Sequence, residues 1–354
     1  MATPGAGFAA RTMWGWMKSC SILTALAAAG AILLAGAPGA KAACSMSAAP
    51  IAVEMKGLTP TVPVKVNGKD LTFLVDSGAF FNTISAQFAF DQKMRKAQTA
   101  TAEIGSHFTA NAETYFSGVG GRVKVSALVQ ADEFQFAGVN FRNAIFLTAS
   151  MPMDGLIGQS LLRHWDVEYD FHDAVMKLVD VQGCKDVDLA YWVKSGTYSM
   201  MPLEHFERGD EHTTGWVFIN GVKMRAIFDT GAGSSFITRR AASRAGVEVT
   251  DPGVQEAGYS RGLDRDRIKT WVGRFASVKI ADEEIKNGRL KIGQTEVTSF
   301  DVLIGADFFR AHHIYVANSQ QKIYFSYSGG QVFNLAPEDE AAAASGGNTA
   351  GPAR

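Results

Sequence analysis

Asp76-Ser77-Gly78-Ala79 and Asp229-Thr230-Gly231-Ala232 are one short element written twice, 153 residues apart, each at the end of an apolar, strand-like run. A single carboxylate at a strand-to-loop corner constrains little. Two of them on matching halves of one chain ask for a fold with a pseudo-twofold axis that brings the aspartates together. The duplication reaches well past the aspartates. In the first half Val62, Val64 and Val66 alternate with Pro63 and Lys65, then Asn67-Gly68 follows, and residues 71–75 lead into Asp76. In the second, residues 216–219 meet Asn220-Gly221 and residues 222–228 lead into Asp229. Both Asn-Gly pairs stand nine residues before their aspartate, and Asn-Gly between apolar runs specifies a tight hairpin. A further apolar run follows in each half, 80–84 and 235–237, and then a helix start with Ser85 or Thr238 as N-cap.

The halves converge again at Asp154-Gly155-Leu156-Ile157-Gly158 and Asp301-Val302-Leu303-Ile304-Gly305. Gly158 lies 82 residues after Asp76, and Gly305 lies 76 after Asp229. Short amphipathic segments follow (Leu161-Leu162-Arg163 and Phe308-Phe309-Arg310), and each half closes on a hairpin-like stretch, 167–179 and 314–327. The pattern divides the chain into a signal peptide at 1–42, an N-terminal lobe at 43–182, a linker at 183–197, a C-terminal lobe at 198–328 and a disordered tail at 329–354.

At 354 residues, 47% hydrophobic and 19% charged, the chain can bury two cores. Its 36 glycines suit a turn-rich β protein. A net charge of −1 with no large basic block argues against a nucleic-acid partner. Arg11 and Lys18 precede an apolar stretch at 21–37, and Ala40-Lys41-Ala42 has the small-x-small form of a signal-peptidase site. Export to the periplasm or outside the cell is expected; an uncleaved inner-membrane anchor is the rival reading. Lys41 stands where a lipoprotein signal usually carries leucine, which argues against lipid anchoring at Cys44. Cleavage would remove Cys20 and leave Cys44 and Cys184, either paired in an oxidising compartment or as two separate thiols. The seven histidines are scattered without ligand spacing, so neither metal nor cofactor is expected. His312-His313 falls in a strand-like stretch and reads as structural.

These residues resemble the retropepsin-like aspartic peptidases, here in tandem as in the two-lobed pepsins. Three features carry the resemblance: the two Asp-Ser/Thr-Gly-Ala elements, the Gly-rich stretch Gly118-Val119-Gly120-Gly121, and the apolar-apolar-Gly motifs ending at Gly158 and Gly305. It covers residues 58–179 and 201–327. What it implies is an all-β protein of two pseudo-symmetric barrel lobes with short helices and an active-site cleft between them. Asp76 and Asp229 are then the catalytic pair of an aspartic endopeptidase. By the same resemblance Ser77 and Thr230 point away from the cleft and hydrogen-bond across the lobes. Gly78 and Gly231 let the backbone turn tightly under the carboxylates and bring an amide near them. Tyr115, Gly118, Gly120 and Gly121 belong to a flap over bound substrate.

Two carboxyls in contact cannot both ionise cheaply, so one keeps a proton; aspartic proteases are the standard illustration of that rule. The ionised member takes a proton from water, and the other polarises the substrate carbonyl and returns a proton. Titration belongs to the pair. Ala79 and Ala232 stand where pepsins usually carry a hydroxyl, so the pair should titrate higher and work at mildly acid to near-neutral pH. The expected partner is an extended peptide bound to a monomer, with contact to a membrane only through the N-terminal segment. The charged stretch 261–266 reads as a solvated hairpin, and Asp154 and Asp301 as structural turn or capping residues. Two other readings stay open. One is an inactive periplasmic binding or scaffold protein on the same fold, with Phe80-Phe81 crowding the first site. The other is an obligate homodimer.

Overall fold

In the computed structural model, residues 44–97, 115–118, 121–124, 127–206, 212–261, 267–295 and 297–333 are described. The signal-like segment 1–42, Gly120, the charged loop 262–266 and the tail from 334 onward lie outside the described residues.

The two Asn-Gly turns organise the two lobes. Asn67 and Gly68 take φ of 47° and 76°, and Asn220 and Gly221 take 48° and 79°. Two successive positive φ values make the hairpin turn whose twist matches that of its strands, and Val66 accordingly pairs with Lys69 and Ile219 with Val222. Each asparagine has a second task. The Asn67 N–H donates to Glu133 O (2.9 Å) while its Oδ1 accepts from Glu133 N (3.1 Å). Asn220 exchanges the same two bonds with Ser277, at 2.8 and 3.1 Å. The turn is thereby fastened to the strand that closes its barrel.

The first barrel runs Thr59–Val66, Lys69–Val75, Gly155–Ile157, Thr83–Ser85, Val139–Ala149, Ala127–Phe136 and back to Thr59–Val66. The second runs Thr214–Ile219, Val222–Phe228, Val302–Ile304, Phe236–Thr238, Glu283–Gly293, Arg267–Ile280 and back to Thr214–Ile219. Six strands close each barrel, in the same order. The period-2 pattern puts Val62, Val64 and Val66 inside with Phe73, Phe134 and Phe146, while Pro63 is exposed. Val217, Ile219, Phe228, Phe275 and Ile292 fill the second barrel. Among the described residues helices are few and short. Ser85 caps Ala86–Asp91 by accepting from Phe88 N, and Thr238 caps Arg239–Arg244 by accepting from Ala241 N.

A third sheet joins the lobes. Its order is Ser45–Ala52, Val175–Gln182, Asp166–Asp170, His312–Ala317, Lys322–Tyr327, Ser199–Pro202. The central pair, Asp166–Asp170 against His312–Ala317, is antiparallel, and each closing hairpin is flanked by one edge strand. Reading the order from either end gives the same succession, so the pseudo-twofold axis passes between the two central strands. Residues 183–198 form no strand, yet they are packed. Cys184, Leu189 and Ala190 are buried against Val179, Tyr315 and Tyr324. Cys184 is disulfide-bonded to Cys44, which ties the start of the first edge strand to this segment.

Candidate active site

Each aspartate sits where an inner barrel strand ends and meets the short strand of its apolar-apolar-Gly motif. Asp76 N donates to Ile157 O (2.9 Å), and Asp229 N donates to Ile304 O (2.8 Å). At the end of each motif the loop that follows the aspartate crosses at close range. A Cβ on Gly158 would lie 2.7 Å from Ala79 O, and one on Gly305 would lie 2.8 Å from Ala232 O. Only glycine permits that crossing. The two crossings are pinned alike: Gly158 N donates to Asn82 Oδ1 (2.9 Å), and Gly305 N to Ser235 Oγ (2.8 Å).

Between the lobes the two loops hold each other. Ser77 N donates to Thr230 Oγ1 (3.0 Å), and Thr230 N donates to Ser77 Oγ (3.0 Å). Each hydroxyl then donates across the axis, Ser77 Oγ to Phe228 O (2.8 Å) and Thr230 Oγ1 to Val75 O (2.7 Å). Both side chains are buried. This reciprocal set joins the two halves directly beneath the carboxylates.

The aspartates face each other. Gly78 N and Ala79 N donate to Asp76 Oδ1 at 3.1 and 2.9 Å. Gly231 N and Ala232 N donate to Asp229 Oδ1 at 2.8 and 3.2 Å. The reason for glycine here differs from the tight turn read from the sequence. Neither Gly78 nor Gly231 has a positive φ. Instead, a Cβ on Gly78 would fall on the Asp229 carboxyl, and one on Gly231 would fall on the Asp76 carboxyl. Each glycine is the space that the opposite carboxyl occupies.

Burial pushes Asp76 well above the usual carboxylate range, and the charge of Asp229 and the hydrogen bond to it push further. Burial also raises Asp229, opposed in turn by the Gly231 amide, the bond to Asp76, the Ala232 amide and the charge of His212. Two carboxyls in mutual contact, both raised, make a pair that keeps one proton over a broad pH range. No side-chain hydroxyl follows either glycine, and the amides of Gly78, Ala79, Gly231 and Ala232 are backbone donors that oppose burial.

Tyr115–Gly118 and Gly121–Lys124 form an antiparallel pair of their own, with Gly118 opposite Gly121; Gly120 lies outside the described residues. In the second lobe Gln255–Arg261 pairs with Arg267–Ile280 up to Arg261 opposite Arg267. Asp154 and Asp301 brace strands: Asp154 Oδ2 accepts from Thr72 N (2.9 Å) and Asp301 Oδ2 from Arg225 N (3.1 Å). Arg244 and Arg240 also approach Asp301, at 3.1 and 3.5 Å. His312 is buried between Phe308 O and Glu283, while His313 contacts Glu168 and Asp170 in the sheet between the lobes. Phe81 is buried beside Leu147 in a small cluster that Phe80 flanks.

Sequence reasoning passed over His212, Thr213 and Gln159. The Thr213 hydroxyl accepts from Gln159 Nε2 of the other lobe (2.8 Å), and both residues are buried. No motif marks them. Their one signal is position: His212 precedes Asp229 by the same seventeen residues that separate Thr59 from Asp76.

A family model described as aspartyl protease matches residues 62–161 and again 216–308. Each match includes one aspartate and the apolar-apolar-Gly motif of its lobe. No curated protein matches the chain.

Proposed function

This chain belongs to the aspartyl protease family, in its retropepsin-like form, and on that premise we propose that it is an endopeptidase whose water is activated between Asp76 and Asp229. The observation that carries the proposal is the mutual approach of two buried, raised carboxyls from opposite lobes. Peptide hydrolysis needs a group that takes a proton from water and another that gives one to the substrate. A pair with a single proton supplies both. As the tetrahedral intermediate collapses, the pair gives a proton to the leaving amine and takes one from a hydroxyl of the intermediate, so it ends with the single proton it began with. Ser77 and Thr230 hold the loops at the separation this requires.

The rest of the proposal concerns what surrounds the pair. The hairpin of Tyr115, Gly118, Gly120 and Gly121 closes over an extended peptide, whose backbone hydrogen-bonds while alternate side chains enter pockets. Both halves of the site come from one polypeptide, so the working form is a monomer. Export to the periplasm or outside the cell fits the Cys44–Cys184 bond, which persists in an oxidising compartment.

A peptide-library digest with wild type, Asp76→Asn and Asp229→Asn tests the reading at pH 5–7. Wild type should cleave and either substitution should abolish cleavage, because half of the pair cannot both take and give the proton. Full activity in one variant refutes the shared site. A wild type that binds peptides but cuts none identifies a binding protein on this fold.

A further inference from the structure

The bonds that join the lobes near the carboxyls are not all symmetric. The four bonds of Ser77 and Thr230 lie on the pseudo-twofold axis and serve both loops alike. The bond from Gln159 Nε2 of the first lobe to Thr213 Oγ1 of the second (2.8 Å) lies off it. Gln159 N donates to Ala79 O (2.9 Å), and Ser160 N donates to Phe80 O (2.6 Å). Ala79 N in turn donates to Asp76 Oδ1 (2.9 Å). On the far side the Thr213 carbonyl accepts from Phe228 N (2.8 Å), the residue that leads into Asp229. A run of hydrogen-bonded residues therefore leads from the Asp76 carboxyl, through Ala79, Gln159 and Thr213, to the residue before Asp229. Gln159 and Thr213 are each 3% exposed, so water cannot readily replace either partner, and breaking the bond strands a buried polar group.

The matching corner of the second lobe cannot make this link. Ala306 follows Gly305 as Gln159 follows Gly158, and Ala306 N donates to Ala232 O (2.7 Å), so the backbone bond is repeated. The Ala306 side chain, however, is a buried methyl group. Pro60 stands sixteen residues before Asp76, as Thr213 stands before Asp229, and it has no hydroxyl. The amide-to-hydroxyl bond is thus confined to one side of the axis. Bonds clustered on an axis fix a separation, but they have little lever arm against a twist about it. A link away from the axis resists that twist.

Resting on the two-aspartate reading above, we propose that Gln159 and Thr213 are positioning residues for the reaction: their bond sets the angle at which the Asp76 loop meets the second lobe, and with it how the two carboxyls face each other. Both act through the backbone of the loops and not on the reacting atoms. With the bond gone, the Asp76 loop can swing against Asp229 while each carboxyl keeps its own amide donors. The pair then spends less time in the arrangement that shares one proton. Both side chains are buried, out of reach of a bound peptide, so the loss falls on turnover rather than on binding.

Gln159→Met keeps the length of the side chain and removes the donor, Thr213→Val keeps the shape and removes the hydroxyl, and Thr213→Ser keeps the hydroxyl. For a peptide that wild type cleaves, the first two should lower kcat on the order of tenfold with KM within about twofold. Thr213→Ser should recover most of that loss. The double variant Gln159→Met with Thr213→Val should be no slower than the slower single variant, because both remove one bond. Titration of 13C-labelled aspartate carboxyls, assigned with Asp76→Asn and Asp229→Asn, gives a readout that needs no turnover. The gap between the two steps of the pair measures how strongly the carboxyls interact, and it should narrow in Gln159→Met and in Thr213→Val. None of the three substitutions alters a charge, so the gap reports geometry. An unchanged gap in both variants, or kcat losses that multiply in the double variant, overturns the proposal and leaves the bond a packing contact. If Gln159→Met does not fold, the gap in Thr213→Val against that in Thr213→Ser decides. A wild type that cleaves nothing counts against the protease reading alone, because the titration still decides the role of the bond.

Discussion

Gly78→Ala is the smallest change that forces the two carboxyls apart. The added Cβ would fall on the Asp229 carboxyl, with Oδ1 2.5 Å away and the other two atoms nearer, whereas real Cβ atoms essentially never come within 3.0 Å of a neighbour. The loops cannot separate to make room, because the four bonds of Ser77 and Thr230 fix their spacing. The Asp229 carboxyl must therefore withdraw by about an ångström, a misplacement that typically costs on the order of 100-fold in rate. Crowding of this kind costs about 1–3 kcal/mol of stability, which for a chain this size lowers Tm by roughly 2–5 °C. With the contact weakened, the pKa of Asp76 should fall, since part of its rise comes from the charge and hydrogen bond of Asp229. Gly231→Ala should give matching losses, because its Cβ falls on the Asp76 carboxyl. Steady-state cleavage and calorimetry on both variants check this. Either alanine variant with activity within threefold of wild type and an unchanged Tm would refute the mutual-space argument.

Thr230→Val keeps the shape but deletes the hydroxyl that accepts from Ser77 N and donates to Val75 O. Leaving two buried backbone groups unpaired should cost about 2–4 kcal/mol in urea unfolding, and a loss under 0.5 kcal/mol would contradict the cross-lobe role. Cys44→Ser combined with Cys184→Ser opens a bond that spans 140 residues of sequence. Loop entropy alone predicts a loss near 4–5 kcal/mol, read as a Tm drop that reduction of the wild type should reproduce. His313 supplies a pH signature. Burial pulls its pKa down, but bonds to Asp170 and Glu168 more than offset this and hold it at about 9. Its folded pKa is above the unfolded value, so its contribution of roughly 3 kcal/mol is fully present below about pH 6.5 and is lost as pH rises through 9. His313→Gln should flatten the fall in unfolding free energy between pH 7 and 9.5, and an unaltered slope would assign that fall to other groups.

Local chemistry made much of the barrel legible. Asn67-Gly68 and Asn220-Gly221 form the turns that their types require, Ser85 and Thr238 cap the helices that follow, and Val62, Val64 and Val66 point inward as their alternation demands. What sequence could not supply was contact between distant segments. Nothing local shows that Asn67 and Asn220 also close their barrels, because the partners Glu133 and Ser277 lie far along the chain. The stretch 183–197 reads as a linker because it falls between the two repeats, but Leu189 and Ala190 are buried on the sheet between the lobes. The glycines after the aspartates show the same limit. Their identity was visible, while the reason for it lay in a carboxyl 151 residues away, from Gly78 to Asp229.

Repetition is what made the site readable, and departure from repetition is what gives each half its own chemistry. Groups on the axis must satisfy their own mirror image, so Ser77 and Thr230, or Gly78 and Gly231, can change little without breaking the opposite loop. One step off the axis that demand lapses. Asn82 and Ser235 do the same task with different side chains, each accepting from the glycine of its motif. Ser160 accepts from Asn82 N (3.3 Å) where Asp307 accepts from Ser235 N (2.9 Å), and the buried Asp307 takes a second bond from the Ser235 hydroxyl (2.6 Å). Further out, Phe80 faces His212 while Gly233 faces Leu58. Two equal carboxyls cannot by themselves decide which one gives up its proton. The choice must come from neighbours that the axis leaves free to differ, and those are the positions where a search by motif finds nothing.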